Sequence, residues 1–165
     1  MTGTRHGSAV IEVPNDLELL ITREFAAPAA LVFNVLTKPE HVSKWFSPGR
    51  ALGCRDELAV CTIDLRVGGE YHFVFLTEDG TECSFRGTYL EIERPQRTVE
   101  TWLFEGRPHD DAVESMDLHE VRGVTTLRNR LTFHDKAARD ELTKGGFDGM
   151  HASFDRMEDH IRSIF

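Results

Sequence analysis

A chain of 165 residues can bury roughly 70% of its unfolded surface in one domain, so neither a metal nor a disulfide is required to hold a core together. Its net charge of -9, with 19 basic residues interspersed among 28 acidic ones, argues against a nucleic-acid partner, because phosphate binding draws on clustered Lys and Arg. No run of about eighteen or more apolar residues exists, and residues 1–9 lack the apolar centre of a signal peptide, so the chain reads as soluble and cytoplasmic, with no membrane partner.

Residues 1–16 carry Gly, Thr, Ser, Pro14 and Asn15 and one short apolar group at Ala9–Ile11, and read as a flexible lead-in to a single domain spanning 17–165. From 17 to 25 the alternation puts Leu17, Leu19, Ile21, Arg23 and Phe25 on one side of a strand, and Pro28 stops it. Two short helices follow, at 28–36 with Leu31, Val32, Val35 and Leu36 as its buried stripe, and at 39–46.

Extended segments are expected at 58–67, 70–77, 82–92 and 98–104. Gly68 and Gly69 fit a tight reversal between the first two, since Gly reaches positive φ without steric penalty; Glu78, Asp79 and Gly80 make the next turn, and Arg94, Pro95 and Gln96 the third. A polar, acidic loop at 106–114 leads to two more strands, 115–121 and 124–133, around Arg122 and Gly123. A short polar helix at 136–144 and a Gly145-Gly146 break precede a long amphipathic helix at 147–165, with Phe147, Met150, Phe154, Met157, Ile161 and Ile164 on one side. Such a helix needs an apolar surface to dock on. The order defines an α+β architecture: about six to seven antiparallel strands curving around the long C-terminal helix, with a hollow between them.

Period two along the strands aligns Tyr71, Phe73 and Phe75, then Cys83, Phe85, Gly87 and Tyr89, then Trp102 and Phe104, and finally Leu127, Asn129, Leu131 and Phe133. With Met150, Phe154 and Met157 these make an aromatic interior, which either lines a pocket for a flat apolar molecule or fills the core; periodicity leaves both open. Trp45 and Phe46, read as exposed aromatics in a loop, serve as a lid or as a hydrophobic cap. Asn129 is a buried amide needing partners, available to a ligand or to neighbouring backbone. His72 and His134 fall on the outward parity, Asp64 and Arg66 suit an ion pair at a turn, and Glu91 lies at a change of parity.

No Ser/His/Asp or Cys/His arrangement, carboxylate pair or phosphate-cradling loop emerges, so no catalytic residue is assigned. Cys54, Cys61 and Cys83 show no CxxC spacing and read as buried free thiols, and the eight histidines lack ligand spacing, so neither metal nor cofactor is expected.

Several stretches in order resemble the helix-grip superfamily of START domains and polyketide cyclases, in the branch similar to the C-terminal domain of the activator of Hsp90 ATPase. They are Ile21-Thr22-Arg23-Glu24-Phe25 with Ala27 and Pro28; Thr37-Lys38-Pro39-Glu40-His41 leading to Trp45, Phe46, Ser47 and Pro48; Asp64 to Gly69; Asp79-Gly80; Phe85 to Ile92; and Pro95, Thr101 and Trp102. Ser47 departs from the Gly usual in that branch. The resemblance implies a curved sheet gripping the last helix and non-catalytic binding of a small hydrophobic or aromatic molecule. It also carries two alternatives: a cyclase or dehydratase acting on a polyketide-like substrate, and a chaperone accessory or other protein-interaction module. An open sheet further offers an edge or outer face for a homodimer.

Overall fold

The computed structural model describes residues 3–46, 54–77, 79–105, 111–144 and 146–165, and of 54–57 the backbone alone. The expectations for Ser47 and Pro48, for Glu78 and for most of the 106–114 loop lie outside the described residues, as does Gly145.

In chain order the elements are β1 (Val10–Glu12), β2 (Glu18–Phe25), α1 (Ala29–Thr37), α2 (Pro39–Trp45), β3 (Cys54–Ile63), β4 (Glu70–Thr77), β5 (Glu82–Glu93), β6 (Arg97–Phe104), β7 (Ala112–Val121), β8 (Val124–Phe133), α3 (Lys136–Thr143) and α4 (Asp148–Ile164). The strands form one antiparallel sheet, ordered β1-β2-β8-β7-β6-β5-β4-β3. From β3 to β8 each strand pairs with its successor, and β2 returns to pair with β8 along its whole length. The apolar-in alternation therefore runs continuously across a sheet that curves around α4. Register shifts in β3 and between Tyr89 and Glu91 in β5 mark bulges, which bend the sheet locally. The β5 bulge accounts for the change of parity at Glu91, which points outward to Arg97 Nε at 3.1 Å.

Three strand readings need correction. β3 runs over Cys54–Ile63 and not 58–67, since the chain leaves the sheet at Asp64 to form the Gly68-Gly69 corner. β1 exists: residues 10–12 pair with residues 20–22 at the sheet edge, although three residues are too few to carry a periodic signal. The segment before it is also tied down, with the Arg5 amide donating to both carboxylate oxygens of Glu158 (2.9 and 3.1 Å) and the Gly7 amide to both of Asp155 (2.9 and 3.1 Å). β7 begins at Ala112, three residues earlier than the alternation from Ser115 indicates, so Glu114 lies in a strand.

Turn chemistry follows the glycines. Gly68 has φ 85°, and the Gly68-Gly69 corner is fastened to β5 by Gly68 N to Tyr89 O (2.8 Å) and Tyr89 N to Gly69 O (2.9 Å). Asp64 and Arg66 form the expected exposed ion pair at this corner, at 2.8 Å.

The apolar interior falls into two clusters. One joins β2, α1, β8 and α4 through Leu19, Ile21, Phe25, Val32, Leu127, Phe133, Met157 and Ile161; the other is the aromatic group on β4 and β5, with Val42 of α2. Phe46 and Trp102 pack against both clusters. Of the α4 stripe, Phe154, Met157 and Ile161 are buried, whereas Ile164 near the end is exposed. Cys61 is a free thiol that burial, with Glu40 adding, pushes up to about 11. Cys83 is disulfide-bonded, which corrects the expectation of free thiols throughout. No helix among the described residues is long and apolar enough to cross a membrane.

Arg23 sits on the core face of β2, fully buried, and its Nη2 reaches Glu158 Oε1 at 3.0 Å and Asp155 Oδ1 at 3.2 Å on α4. Removing one partner of a buried pair leaves the other charge without compensation. Glu158→Ala is expected to cost about 3 kcal/mol, the low end of the usual range because Asp155 still faces the guanidinium. Urea denaturation checks this, and a loss below about 1 kcal/mol would mean the pair is not holding α4.

Candidate functional site

Between the two apolar clusters lies a cavity of about 170 Å³, roofed by α2 and α4 and floored by the inner faces of β4, β5, β6, β7 and β8. Trp45, Phe46, Tyr71, Phe73, Phe85, Tyr89, Trp102, Asn129, Leu131, Met150 and Phe154 border it, joined by Glu100, Glu114, Met116 and Ser153. Three of the expected residues fall outside this wall. Phe75 is fully buried toward the β4–β5 turn, Phe104 stacks on Phe85 with centroids 5.0 Å apart, and Met157 is packed one turn beyond Phe154. Phe75 and Met157 are core, and Phe104 lies half-buried against it.

Trp45 and Phe46 also need correcting, because neither is an exposed loop aromatic. Trp45 ends α2 and is buried, its indole N–H donating to Val35 O (2.9 Å) and its ring stacked near Phe154 at 6.3 Å. Its carbonyl accepts from Ser153 Oγ (3.3 Å) and Arg156 Nε (3.2 Å), fastening α2 to α4. Phe46 is half-buried and meets Phe73, Phe75 and Phe85 edge-on at 5.5 to 6.1 Å. Both residues thus cap the sheet and border the cavity together. On the floor, the Tyr71 hydroxyl donates to Thr101 O (2.8 Å) across Gly87, where a Cβ would lie 1.8 Å from that same carbonyl and 2.5 Å from the Tyr71 ring. Only glycine lets the tyrosine lie flat there.

The polar end of the cavity is the feature that sequence reasoning missed. Glu100 and Glu114 are directly opposed in the β6–β7 register, so both carboxyls project from the same face of the sheet. Glu100 is buried, while Glu114, bordering the cavity, is half-buried. Burial first, then the facing Glu114, holds the Glu100 carboxyl well above the ordinary carboxylate range. Burial raises Glu114 as well, offset by hydrogen bonds from Asn129 and from Glu100. Glu100 therefore keeps its proton to higher pH than an ordinary carboxyl, facing Glu114 across the strands. Asn129 Nδ2 donates to Glu114 Oε2 (3.0 Å) and lies 3.3 Å from Ser115 O, so the buried amide serves the carboxylate and the backbone together. Among the described residues no donor reaches Glu100 Oε2. Burial, then the two glutamates, also pushes the Tyr71 hydroxyl well above its usual value.

Glu100 could have been found in the sequence, because it shares parity with Trp102 and Phe104. Glu114 could not, once 106–114 was read as a loop. Elsewhere, His134 is exposed as expected but His72 is half-buried, with its Nε2 lacking a partner among the described residues. His6, Glu158 and Asp159 bring potential ligand atoms within 4.8 Å of one another, but Glu158 is already committed to Arg23 and the Arg5 amide.

An antiparallel sheet curved around a C-terminal helix, with a cavity between them, defines the helix-grip class of the SRPBCC superfamily. The family model described as activator of Hsp90 ATPase homolog 1-like protein matches residues 26–162, and the chain belongs to that family. Similar solved structures include a crystal structure of a Rhodobacter sphaeroides protein, at 21% identity and a TM-score of 0.83, covering 95% of this chain and 99% of that one. A Nitrosomonas europaea protein matches at 22% identity and a TM-score of 0.77, covering 93% and 99%. A solution structure of an Arthrobacter aurescens protein matches at 18% identity and a TM-score of 0.78, covering 93% and 91%. At these identities the likeness establishes the fold. None of the curated proteins is significantly similar in sequence.

The carboxyl pair has a measurable consequence for folding. The unfolded chain releases the Glu100 proton near the ordinary value of 4.5, whereas the folded chain keeps it to higher pH. Stability from the protonated form is therefore complete below about 4.5 and is lost as pH rises toward the pair's own elevated titration. Between about pH 5 and pH 9 the melting temperature of Glu100→Gln, which needs no proton, should fall less than that of the parent and exceed it at the alkaline end. Parallel melting curves would assign the pH dependence to other groups.

Proposed function

We propose that this protein holds a small, mainly apolar molecule, with a body about the size of one aromatic ring, in the cavity between sheet and α4. The observation that carries this reading is the cavity itself: about 170 Å³ walled by six aromatic side chains of β4, β5, β6 and α2 together with Phe154, Met150 and Leu131. An apolar cavity of roughly 150 Å³ suffices for benzene, and each Å² removed from water contributes about 25 cal/mol. The α2–α4 fastening through Trp45 keeps the roof in place, so the cavity is formed before binding, which lowers the cost of ordering it.

Binding is expected as a rise in melting temperature with a panel of single-ring compounds, reaching the equivalent of about 2.7 kcal/mol at a hundredfold excess over Kd. Met150→Trp, on the half-buried face of α4, fills the cavity and should weaken binding at least about tenfold while leaving the fold intact. No shift with any compound, or an unchanged affinity in Met150→Trp, would exclude the cavity as the site.

The carboxyl pair gives a second reading some weight, a cyclase or dehydratase in which Glu100 is the acid and Glu114 the base. That reading requires turnover of a polyketide-like substrate with a bell-shaped pH profile that Glu100→Gln removes; binding without turnover rejects it. The chaperone-accessory reading loses part of its support, since it drew on exposed Trp45 and Phe46 and the first is buried and the second half-buried. Its remaining basis is the acidic character of the chain, at a net charge of -9, and family membership.

A further inference from the structure

The cavity is apolar except at one end, and that end has a single sign of charge. The described residues bordering it include Glu100 and Glu114 and no Lys or Arg. Arg97 acts on Glu100 through its charge, but its guanidinium hydrogen-bonds Asp117 (2.6 and 2.8 Å) and Glu91 (3.1 Å). Asn129 uses its amide hydrogens on Glu114 and Ser115. Glu100, with only 4% of its surface exposed, thus borders the cavity with a buried Oε2 that has no protein donor among the described residues. A carboxyl oxygen so placed calls for a ligand that donates.

The nature of the donor follows from charge. Two carboxyls opposed across β6 and β7, with no cation among the described residues bordering the cavity, make an acidic end in a site of low polarity, beside the rings of Tyr71, Tyr89 and Trp102, residue types whose π-systems attract cations. An anionic ligand is repelled. A neutral hydroxyl brings one hydrogen and leaves the charge uncompensated, whereas an ammonium brings up to three hydrogens and a full positive charge. Volume limits the remainder to roughly one ring and a short stem.

We propose that the cavity selects a single-ring arylalkyl amine, its protonated nitrogen seated between Glu100 Oε2 and the Glu114 carboxylate and its ring held by Tyr89, Trp102 and Phe154. This rests on the ligand-binding reading above and adds to it the chemical class of the ligand. The two glutamates act as a specificity device: they penalise apolar molecules that leave the carboxyls unmatched and exclude acids.

Isothermal titration of the full chain with three probes of similar shape, 2-phenylethylamine, propylbenzene and phenylacetate, tests it at near-neutral pH. The amine is expected to bind at least about tenfold more tightly than propylbenzene, and phenylacetate not to bind. Glu100→Gln should bring the amine down to the level of propylbenzene without weakening propylbenzene itself, and Glu114→Gln serves as a second variant should the first not fold. If propylbenzene binds as well as the amine, or both variants keep the preference, the amine proposal is overturned while the apolar-binding reading stands. If none of the three binds, both fall.

Discussion

A buried ion pair fixes where the last helix can lie, and the cavity depends on that position. Arg23 reaches from the core face of β2 to Glu158 and Asp155, which also accept the backbone amides of Arg5 and Gly7. Its Nη1 donates to Glu24 O at 2.7 Å, and the guanidinium lies 5.0 Å from the Phe25 ring centroid. An apolar stripe alone lets a helix slide or rotate by a residue at little cost, because Phe and Met pack against many surfaces. A charge taken fully out of water tolerates no such shift, since only one register pairs it. The pair thus supplies specificity rather than much net stability. It pins the C-terminal half of α4 and leaves Gly149, Met150, Ser153 and Phe154 above the cavity.

The roof is then completed by a second polar fastening with an apolar consequence. Trp45 donates to Val35 O within the α1–α2 pair and accepts from Ser153 and Arg156 of α4. These bonds prevent the indole from collapsing onto Tyr71 and Phe85. Below, Gly87 allows Tyr71 to lie along the sheet with its hydroxyl on Thr101 O, where a larger residue would force the ring up into the open volume. The cavity persists because its roof and floor are each tied by hydrogen bonds to backbone, which packing forces of about 0.1–0.2 kcal/mol per atom pair do not readily displace.

How much of this was legible in the sequence depended on how far each signal extends along the chain. β4 and β8, eight and ten residues of clean alternation, were readable with their bounds, and so was the stripe of α4. The helix-grip arrangement followed from element order. β1 was not readable, because three residues paired at an edge owe their conformation to β2 and to no pattern of their own. Trp45 misled because a tryptophan at the end of a seven-residue helix carries no sign that its indole nitrogen will find a carbonyl ten residues earlier. The cavity wall was largely visible as aromatic parity, but Phe75 and Phe104 share that parity and lie outside the wall, Phe75 in solid core and Phe104 half-buried against it. Period two gives the face of a sheet and not the position along it.

The glutamate pair marks the deeper limit. Its chemistry arises from cross-strand register, Glu100 against Glu114, and that register has no signal in a stretch that reads as a loop of acidic residues up to Glu114. Two like charges facing each other on a buried face oppose folding, and their cost is contained by the raised proton affinity of Glu100, by Thr98 and Arg97 acting on it, and by the Asn129 amide on Glu114. A structural role would be met as well by Gln or Thr at either position, with no proton required. An acidic end in an otherwise aromatic cavity costs stability, and such a breach of local rules is the pattern expected at a functional site.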